Sequence, residues 1–174
     1  MRFESRARYH GTLDEVQSSL LDDRYVDFLL KHHGVLLEAQ VLEKKDSGDK
    51  VSRKVRYRPK PVIESVGPKK VPPEYFAFVE DSTFDKTRHE MTFTNRATTR
   101  TIANMLVNTG TLKLRAVGNE CERVMEGEIS LKLPFLLKPL AIIGETVIHR
   151  EGLKILDGEV PVMNRFLTEV LRAK

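Results

Sequence analysis

The sequence of 174 residues predicts an α+β domain with one sheet of six to seven strands, two short helices after the first strand, and a long C-terminal helix. Two observations support this prediction. Apolar and polar residues alternate in several short segments, which is typical of half-buried strands. Apolar residues recur at helical spacing after the first of these segments and again near the C terminus. Because the Pro-rich stretch interrupts the strand series instead of separating two cores, we expect a single domain over residues 1–174.

The first strand is predicted at residues 2–9, where side chains alternate strictly between two faces. One face is charged at every position. The other face carries Phe3, Ser5, Ala7 and Tyr9. Since successive side chains of a strand point to opposite sides of the sheet, this second face is expected to point inward.

Two short helices are predicted between the first and second strands. Thr12 and Glu15 have the spacing of a capping box, in which each side chain accepts a hydrogen bond from the backbone amide of the other residue. Asp22 is the candidate N-cap of the second helix, and Gly34 supplies the positive φ at its end. His33, in the last helical turn, is expected to be solvated at the helix end.

The remaining strands are predicted from alternation and from the turn residues between them. Gly48 marks a hairpin connection between the predicted strands at 35–44 and 51–58. Residues 59–73 hold five of the eight prolines and are expected to form a flap or loop, with a helical turn around Ile63, because proline cannot donate to a central ladder. The predicted strands are 35–44, 51–58, 74–83, 88–95, 101–117 and 120–133.

The last helix is predicted over residues 136–172, after the proline that ends the final strand. Its apolar stripe has i, i+3, i+4 and i+7 spacing. Gly158 and Pro161 predict a kink or break near 157–161, because proline removes a helical hydrogen bond. The members of the stripe are Leu140, Ile143, Val147, Ile148 and Ile155.

Composition excludes several classes of protein. The net charge of +4 arises from interspersed acids and bases, so no charged tail for nucleic acid is evident. The longest apolar run, residues 133–144, is too short and too interrupted for a membrane span, and the charged first residues make a secretory signal unexpected. Cys121 is the one cysteine, so no intrachain disulfide forms and a cytoplasmic location is expected.

The order of elements resembles the START-like superfamily, also called SRPBCC or helix-grip. Two segments carry the resemblance: residues 12–34 form a helix pair between the first two strands, and residues 128–148 resemble the family's last strand, proline corner and long helix. The resemblance covers the whole chain. It implies a strongly bent antiparallel sheet wrapped around the last helix. We expect the chain to fall in a bacterial branch of this superfamily, with a distant likeness to the eukaryotic sterol-binding VASt domains. It departs from the family where Gly158 and Pro161 would disturb the helix.

A helix-grip fold implies an apolar pocket, because a bent sheet and one helix do not fill the space between them. Gly144 and Gly152 on or beside the helix stripe would open volume beneath the helix, and methionines would line it with adaptable surface. The alternative is that these glycines only permit close packing and that the stripe is ordinary core. The apolar candidates for the pocket are Phe3, Ala7, Val41, Val55, Met91, Phe93, Leu112, Met125, Ile129, Ile143, Gly144 and Val147.

Two charged residues are candidates for the polar end of this pocket. Arg53 shares its strand parity with apolar neighbours, and Glu151 lies on the inner stripe of the helix. A buried charge is costly unless it is paired, so Arg53, with Glu151, is a hypothesis for orienting a ligand head group. The alternative is that Arg53 lies at a sheet edge and reaches solvent.

No motif specifies catalysis, and neither a cofactor nor a metal is predicted. The histidines lack metal-ligand spacing, and Cys121 has no activating partner. The favoured function is binding or transfer of an apolar small molecule or lipid. The alternatives are a cyclase- or dehydratase-like enzyme, which should show two or more convergent polar groups deep in the pocket, and a basic-surface module with transient contact to an anionic membrane. Specific binding of nucleic acid is not expected.

Overall fold

The computed structural model describes residues 1–61, 65–66, 68–70, 72–100, 106–132 and 138–173, with only the backbone described at 65–66, 69, 131 and 138–144. The strands are β1 (Arg2–Tyr9), β2 (Leu36–Asp46), β3 (Lys50–Pro59), β4 (Ser65–Val66), β5 (Lys69–Lys70), β6 (Phe78–Asp85), β7 (Glu90–Ala97), β8 (Leu106–Val117) and β9 (Glu120–Leu131). The helices are α1 (Leu13–Leu20), α2 (Asp23–His32) and α3 (Lys138–Phe166).

Seven strands form one antiparallel sheet in the order β1-β9-β8-β7-β6-β3-β2. Hairpins connect strands that follow one another in the sequence. β1, the first strand of the chain, instead pairs with β9, the last strand. This arrangement, with a long C-terminal helix and two short helices after β1, confirms the predicted α+β helix-grip architecture.

The local signals at the start of the chain are confirmed. Thr12 and Glu15 form both bonds of the capping box, with the amide of Thr12 donating to Glu15 Oε2 at 2.8 Å. Asp22 caps α2 by accepting from an amide in the first turn. Gly34 has a φ of +73°, which lies in the left-handed region that residues with a side chain rarely adopt.

The Pro-rich region differs in part from its prediction. The predicted strand from residue 74 begins only at Phe78, because Pro73–Phe76 form a short 3-10 helix. Proline fixes φ near the helical value, so this turn suits the residues that follow Pro72. Within 59–73, the described pieces β4 and β5 pair as a small antiparallel hairpin. The turn predicted around Ile63 lies outside the described residues.

Of the kink or break predicted near 157–161, the break does not occur, because α3 runs continuously across Gly158 and Pro161. The kink stays a prediction. Pro161 lies on the exposed face of the helix, and so does Asp157, whose carbonyl loses its helical donor. Water can reach that carbonyl, which reduces the cost of the missing bond. A turn with π-type bonding, Leu167–Leu171, follows α3.

The second half of α3 packs against the sheet and both short helices, and the main core lies there. Phe166 contacts the ring of Tyr25 edge to face, with centroids 5.2 Å apart. The amide of His10 donates to Asn164 Oδ1 at 2.8 Å, which ties the end of β1 to α3. The buried members of this core are Tyr9, Val16, Tyr25, Leu29, Phe84, Phe93, Leu112, Leu114, Cys121, Met125, Val162, Met163, Phe166 and Leu167.

Candidate functional site

The inner face of the sheet is packed at one end and partly open at the other. The packed end surrounds Tyr9 and Cys121, which are both fully buried, and there the main core covers the inner face of the sheet. At the opposite end, where β6 and β7 lie in the middle of the sheet, inward side chains are only half-buried. Tyr57 and Phe78 are among them, with ring centroids 5.5 Å apart. This half-open end is the candidate ligand site.

A row of three polar side chains crosses the half-open end. Glu80 on β6 pairs with Asn95 on β7, and Asn95 pairs with Asn108 on β8. The row continues to Val55 on one side and to Ile129 on the other, both buried. We call Glu80, Asn95 and Asn108 the polar row.

Two of the three members of the polar row lack a hydrogen-bond partner for their side-chain oxygen among the described residues. The side-chain oxygens of Asn95 and Asn108 are buried and accept no hydrogen bond, although the two residues as a whole are half-buried. Burial raises the pKa of Glu80 above its usual value, while Arg53 and Ser82 act in the opposite direction. Most buried polar groups in proteins have a partner, so the unpaired oxygens of Asn95 and Asn108 need an explanation.

Arg53 points inward, as its strand parity predicted, and is 8% exposed. Its Nη1 donates to the carbonyl oxygen of Leu20, the last residue of α1, at 2.8 Å. Lys44, its partner across β2 and β3, donates to the next carbonyl, that of Leu21, at 2.7 Å. The two cations therefore satisfy the carbonyl end of α1, where positive charge is favourable.

Glu151 does not contact Arg53. Its carboxylate accepts from Arg150 at 2.9 Å and from Lys154 at 3.0 Å, both on its own helix. The hypothesis that Arg53 and Glu151 orient a head group together has no geometric support in these contacts, and the role of each in binding stays a prediction.

The buried ion pair of the interior is instead formed by Arg123 and Glu159. Arg123 is fully buried, and its Nη1 donates to Glu159 Oε2 at 2.6 Å. Its Nη2 donates to the hydroxyl of Ser5 at 3.3 Å, and the hydroxyl of Tyr25 donates to Glu159 Oε1 at 3.0 Å. This network links β1, β9 and α2 to the middle of α3.

Electrostatics in this network favour a charged arginine and neutral tyrosines. Burial alone would lower the pKa of Arg123, but Glu159 and the neighbouring tyrosines leave it above its usual value. Burial and the charge of Glu159 raise the pKa of Tyr9 and of Tyr25. Arg123 thus stays charged, and both tyrosines stay neutral, near neutral pH.

Most predicted pocket residues lie on the inner face, but they divide between core and half-open surface. The buried ones are Val55, Phe93, Leu112, Met125 and Ile129. The half-buried ones are Phe3, Ala7, Val41, Met91 and Val147. Only the backbone is described at Ile143 and Gly144, so their place in the predicted pocket stays a prediction. Leu112 and Met125 belong to the packed core, whereas Val55 and Ile129 end the polar row.

Room beneath α3 is indicated at Gly152. This residue lies one turn before Leu156 and two turns before Glu159, on the stripe of α3 that faces the sheet. A Cβ atom placed on Gly152 would have no described atom within 4 Å apart from its chain neighbours and the backbone of its own helix, although the residue is half-buried. Gly152 therefore does not serve close helix–sheet packing. Gly127 is the contrast, since a Cβ there would lie 2.5 Å from the carbonyl oxygen of Thr109.

The outer face of the sheet carries two shallow, solvent-open depressions with mixed polar and apolar linings. Their positions differ from the predicted pocket, because most of their side chains have the opposite strand parity. One is lined by Lys54, Val79, Asp81, Thr83, Thr92, Phe93, Thr94 and Arg96. The other is lined by Arg2, Phe3, Glu4, Thr109, Gly110, Thr111, Glu126, Gly127 and Glu128.

Sequence reasoning missed the polar row and the Arg123–Glu159 pair, although strand parity contained the signal. Asn95 has the parity of Phe93, and Asn108 has the parity of Leu112. Arg123 lies between Cys121 and Met125 on the same face of β9. Polar residues at inward-pointing strand positions therefore indicate the polar row and the buried arginine.

Metal and thiol chemistry find no support in the described part of the chain. No group of three or more histidine, cysteine, aspartate or glutamate side chains there is arranged to hold a metal ion. Burial raises the pKa of Cys121 to about 11, so its thiol is not activated. His33 is buried rather than solvated, because its ring packs on Gly158 and its Nε2 lies 2.8 Å from the carbonyl oxygen of Ile155. Among the described helices, none combines the length and apolar character needed to cross a membrane.

Comparisons with known proteins identify the fold. No protein-family model matches the sequence, and no curated protein matches it significantly. The Zhui aromatase/cyclase from Streptomyces sp. R1128 is similar in structure with a TM-score of 0.65 at 12% identity, over 99% of this chain and 96% of that chain. The protein TTHA0849 from Thermus thermophilus gives 0.63 at 14% identity, over 98% and 99% of the two chains.

A third similar structure is a norcoclaurine synthase point mutant from Thalictrum flavum in complex with a transition-state analogue. It gives a TM-score of 0.62 at 12% identity, over 97% of this chain and 94% of that chain. The distant likeness to VASt domains receives no support from these comparisons. Near-complete coverage, the sheet order and the long last helix together show that the chain has the START-like, helix-grip fold.

Proposed function

We propose that this protein binds a mainly apolar small molecule between the half-open end of the sheet and α3. The observation that carries the proposal is the space beside Gly152, a half-buried position on the sheet-facing stripe of α3. A Cβ atom added there would have no described atom within 4 Å apart from its chain neighbours and the backbone of its own helix. Ligand pockets are concave and mostly apolar, with a few placed polar groups. Tyr57, Phe78 and the polar row supply such a lining.

The comparisons support a small-molecule role by analogy. One similar structure is named as an aromatase/cyclase, and another holds a transition-state analogue. Function does not follow from fold alone, because one fold hosts many activities. The proposal therefore depends on the site and on the following test.

Titration with pyrene, a fluorescent hydrocarbon without charge or hydrogen-bonding groups, tests the proposal. We expect its vibronic band ratio to report an apolar environment at saturation, with one pyrene per chain. Gly152→Leu should weaken binding about tenfold or more, because the new side chain occupies the space beneath α3. Asp157→Leu, at an exposed position of the same helix, is the matched control and should bind as the wild type does.

Salt dependence separates the proposal from binding at a basic surface. Pyrene affinity should be nearly constant as salt rises, whereas contact with an anionic membrane weakens steeply. Equal pyrene affinity in wild type and Gly152→Leu would contradict the proposed location.

An enzyme acting on a bulky apolar substrate is the second candidate. The polar row favours it, because a cyclase- or dehydratase-like site requires convergent polar groups in the pocket. Glu80, whose pKa burial raises, is the candidate proton donor. Incubation with a metabolite extract, followed by mass spectrometry, should then show a compound that the wild type consumes and that Glu80→Gln leaves intact. An unchanged extract would leave binding as the function.

A further inference from the structure

The polar row has a geometry that limits what the proposed site can accept. Glu80, Asn95 and Asn108 are direct partners on three neighbouring strands, and strands lie about 4.8 Å apart. The three side chains are therefore evenly spaced along a line of about 10 Å. Such a line matches one edge of a ring system better than a single compact head group.

The two carboxamides in the row are available for hydrogen bonding. The oxygens of Asn95 and Asn108 are buried without a partner. Rotation about the last side-chain bond exchanges the oxygen and the NH₂ group, so each carboxamide can present either an acceptor or a donor. A hydroxyl group, which both donates and accepts, satisfies either orientation. Two such groups about 5 Å apart would pair with the two residues at once.

Charge in the row disfavours an anion. The titratable member is an acid, Glu80, whose charge already interacts with the neighbouring cation Arg53, and Arg53 also donates to the carbonyl of Leu20. An ionised carboxylate placed against the row would lose its water without gaining a positively charged partner. The row therefore suits a neutral ligand.

Apolar residues bracket the row along the strands. Phe78 precedes Glu80 on the inner face of β6, and Phe93 precedes Asn95 on the inner face of β7. Phe93 also lies over Gly110, because a Cβ there would come within 2.7 Å of its ring. A ligand that meets the row with its oxygens thus has apolar surface on both sides of that contact.

Given the binding function proposed above, we infer that the ligand is a neutral, mainly apolar molecule with two hydroxyl groups about 5 Å apart on one edge, which Asn95 and Asn108 bind. Meta-related hydroxyl groups on one aromatic ring have this spacing. Fatty acids and other apolar anions are excluded from the class.

Competition against bound pyrene tests the inference with three matched compounds. 4-Hexylresorcinol carries the meta-related hydroxyls, its dimethyl ether lacks the donors, and 4-hexylbenzoic acid carries a negative charge. We expect 4-hexylresorcinol to displace pyrene at about tenfold lower concentration than either of the others. Equal potency of 4-hexylresorcinol and its dimethyl ether in the wild type would overturn the inference without any variant.

Asn95→Leu and Asn108→Leu, which preserve side-chain size, assign the effect to the row. Each should lower the ratio of the affinity for 4-hexylresorcinol to the affinity for pyrene about tenfold, because leucine removes the hydrogen bond and keeps the apolar contact. Unchanged affinity for 4-hexylresorcinol in both variants would overturn the inference while pyrene binding still supports the site. Failure of the wild type to bind pyrene would instead overturn the proposed function.

Discussion

Among the described ion pairs, the one between Arg123 and Glu159 has the most buried cation. Its two partners differ in their exposure to solvent. The Arg123 side chain is 0% exposed, whereas Glu159 keeps 17% of its surface in contact with solvent. Removing one member of a buried pair leaves the other without compensation, which is costlier than replacing both. The more buried member should suffer more.

Glu159→Gln is therefore expected to reduce the free energy of unfolding by about 3 kcal/mol, because it leaves the Arg123 guanidinium buried and unpaired. Arg123→Met should cost less, since Glu159 keeps its bond from Tyr25 and can reach water. Urea unfolding of both variants and of the double variant measures this. The double variant should be more stable than Glu159→Gln, and a cost equal to the sum of the two single losses would argue against the coupling.

Glu15 joins the start of α1 to the C-terminal segment and predicts a pH effect. Hydrogen bonds from Arg172 and from the Thr12 amide lower its pKa from 4.5 to about 2. A carboxyl with a depressed folded-state pKa stabilises the fold above its unfolded-state pKa. That contribution is lost as pH falls from about 4.5 toward about 2.

Stability curves between these pH values check the effect. Glu15→Gln and Arg172→Gln should each make the free energy of unfolding fall less steeply with decreasing pH than it does in the wild type. If the free energy of unfolding of both variants depends on pH as steeply as that of the wild type, the Glu15–Arg172 pair is not the cause of the pH dependence.

Single residues also show where sequence-based prediction succeeded at this scale. The capping box at Thr12 and Glu15, the cap at Asp22 and the positive φ at Gly34 involve partners within a few positions, so local spacing was enough. The bond from Arg53 to Leu20 joins residues 33 positions apart. Strand parity predicted that Arg53 points inward, but nothing in the sequence specifies which carbonyl it meets.

At the scale of elements, Gly127 on β9 and Gly110 on β8 face each other in the sheet, where the backbones approach closely. A Cβ on Gly127 would lie 2.5 Å from the Thr109 carbonyl oxygen and 2.6 Å from the Phe3 ring. The backbone oxygen cannot move aside without shifting the strand. Gly152 in α3 has the opposite environment, since an added Cβ would have no described atom within 4 Å apart from its chain neighbours and the backbone of its own helix.

Gly127 and Gly152 form a matched pair for mutation. Gly127→Ala should destabilise the protein by about 2 kcal/mol through overpacking. Gly152→Ala should stabilise it by about 0.5–1 kcal/mol, since alanine favours a helix and meets no obstacle. Thermal or urea unfolding measures both changes. Destabilisation by Gly152→Ala would contradict the space beneath α3.

The elements themselves were largely predictable because alternation and helical periodicity are local. Strand bounds for β2, β3, β7 and β9 differ from prediction by only a few positions. The start of β6 differs because Pro73 and the residues after it form a 3-10 helix. The continuity of α3 differs because water can reach the Asp157 carbonyl that Pro161 leaves unpaired. Exposure of Pro161 depends on the tertiary fold.

At the scale of the whole molecule, the interior is asymmetric. One end of the grip is a packed core of aromatic and aliphatic side chains, and the other presents a polar row under half-buried aromatic residues. The predicted pocket included residues from both ends of the sheet. Strand parity predicts which face of the sheet a side chain lies on, but it does not predict how far that side chain lies from α3. That distance is set by where α3 crosses the sheet.

Intermolecular NOEs between pyrene and the isotope-labelled protein test the central claim most directly, because they locate the ligand within the fold. The account predicts contacts to the rings of Tyr57 and Phe78 and to the side-chain amide protons of Asn95. Contacts to Val79, Thr83 and Thr92, which line a depression on the outer face, would contradict it.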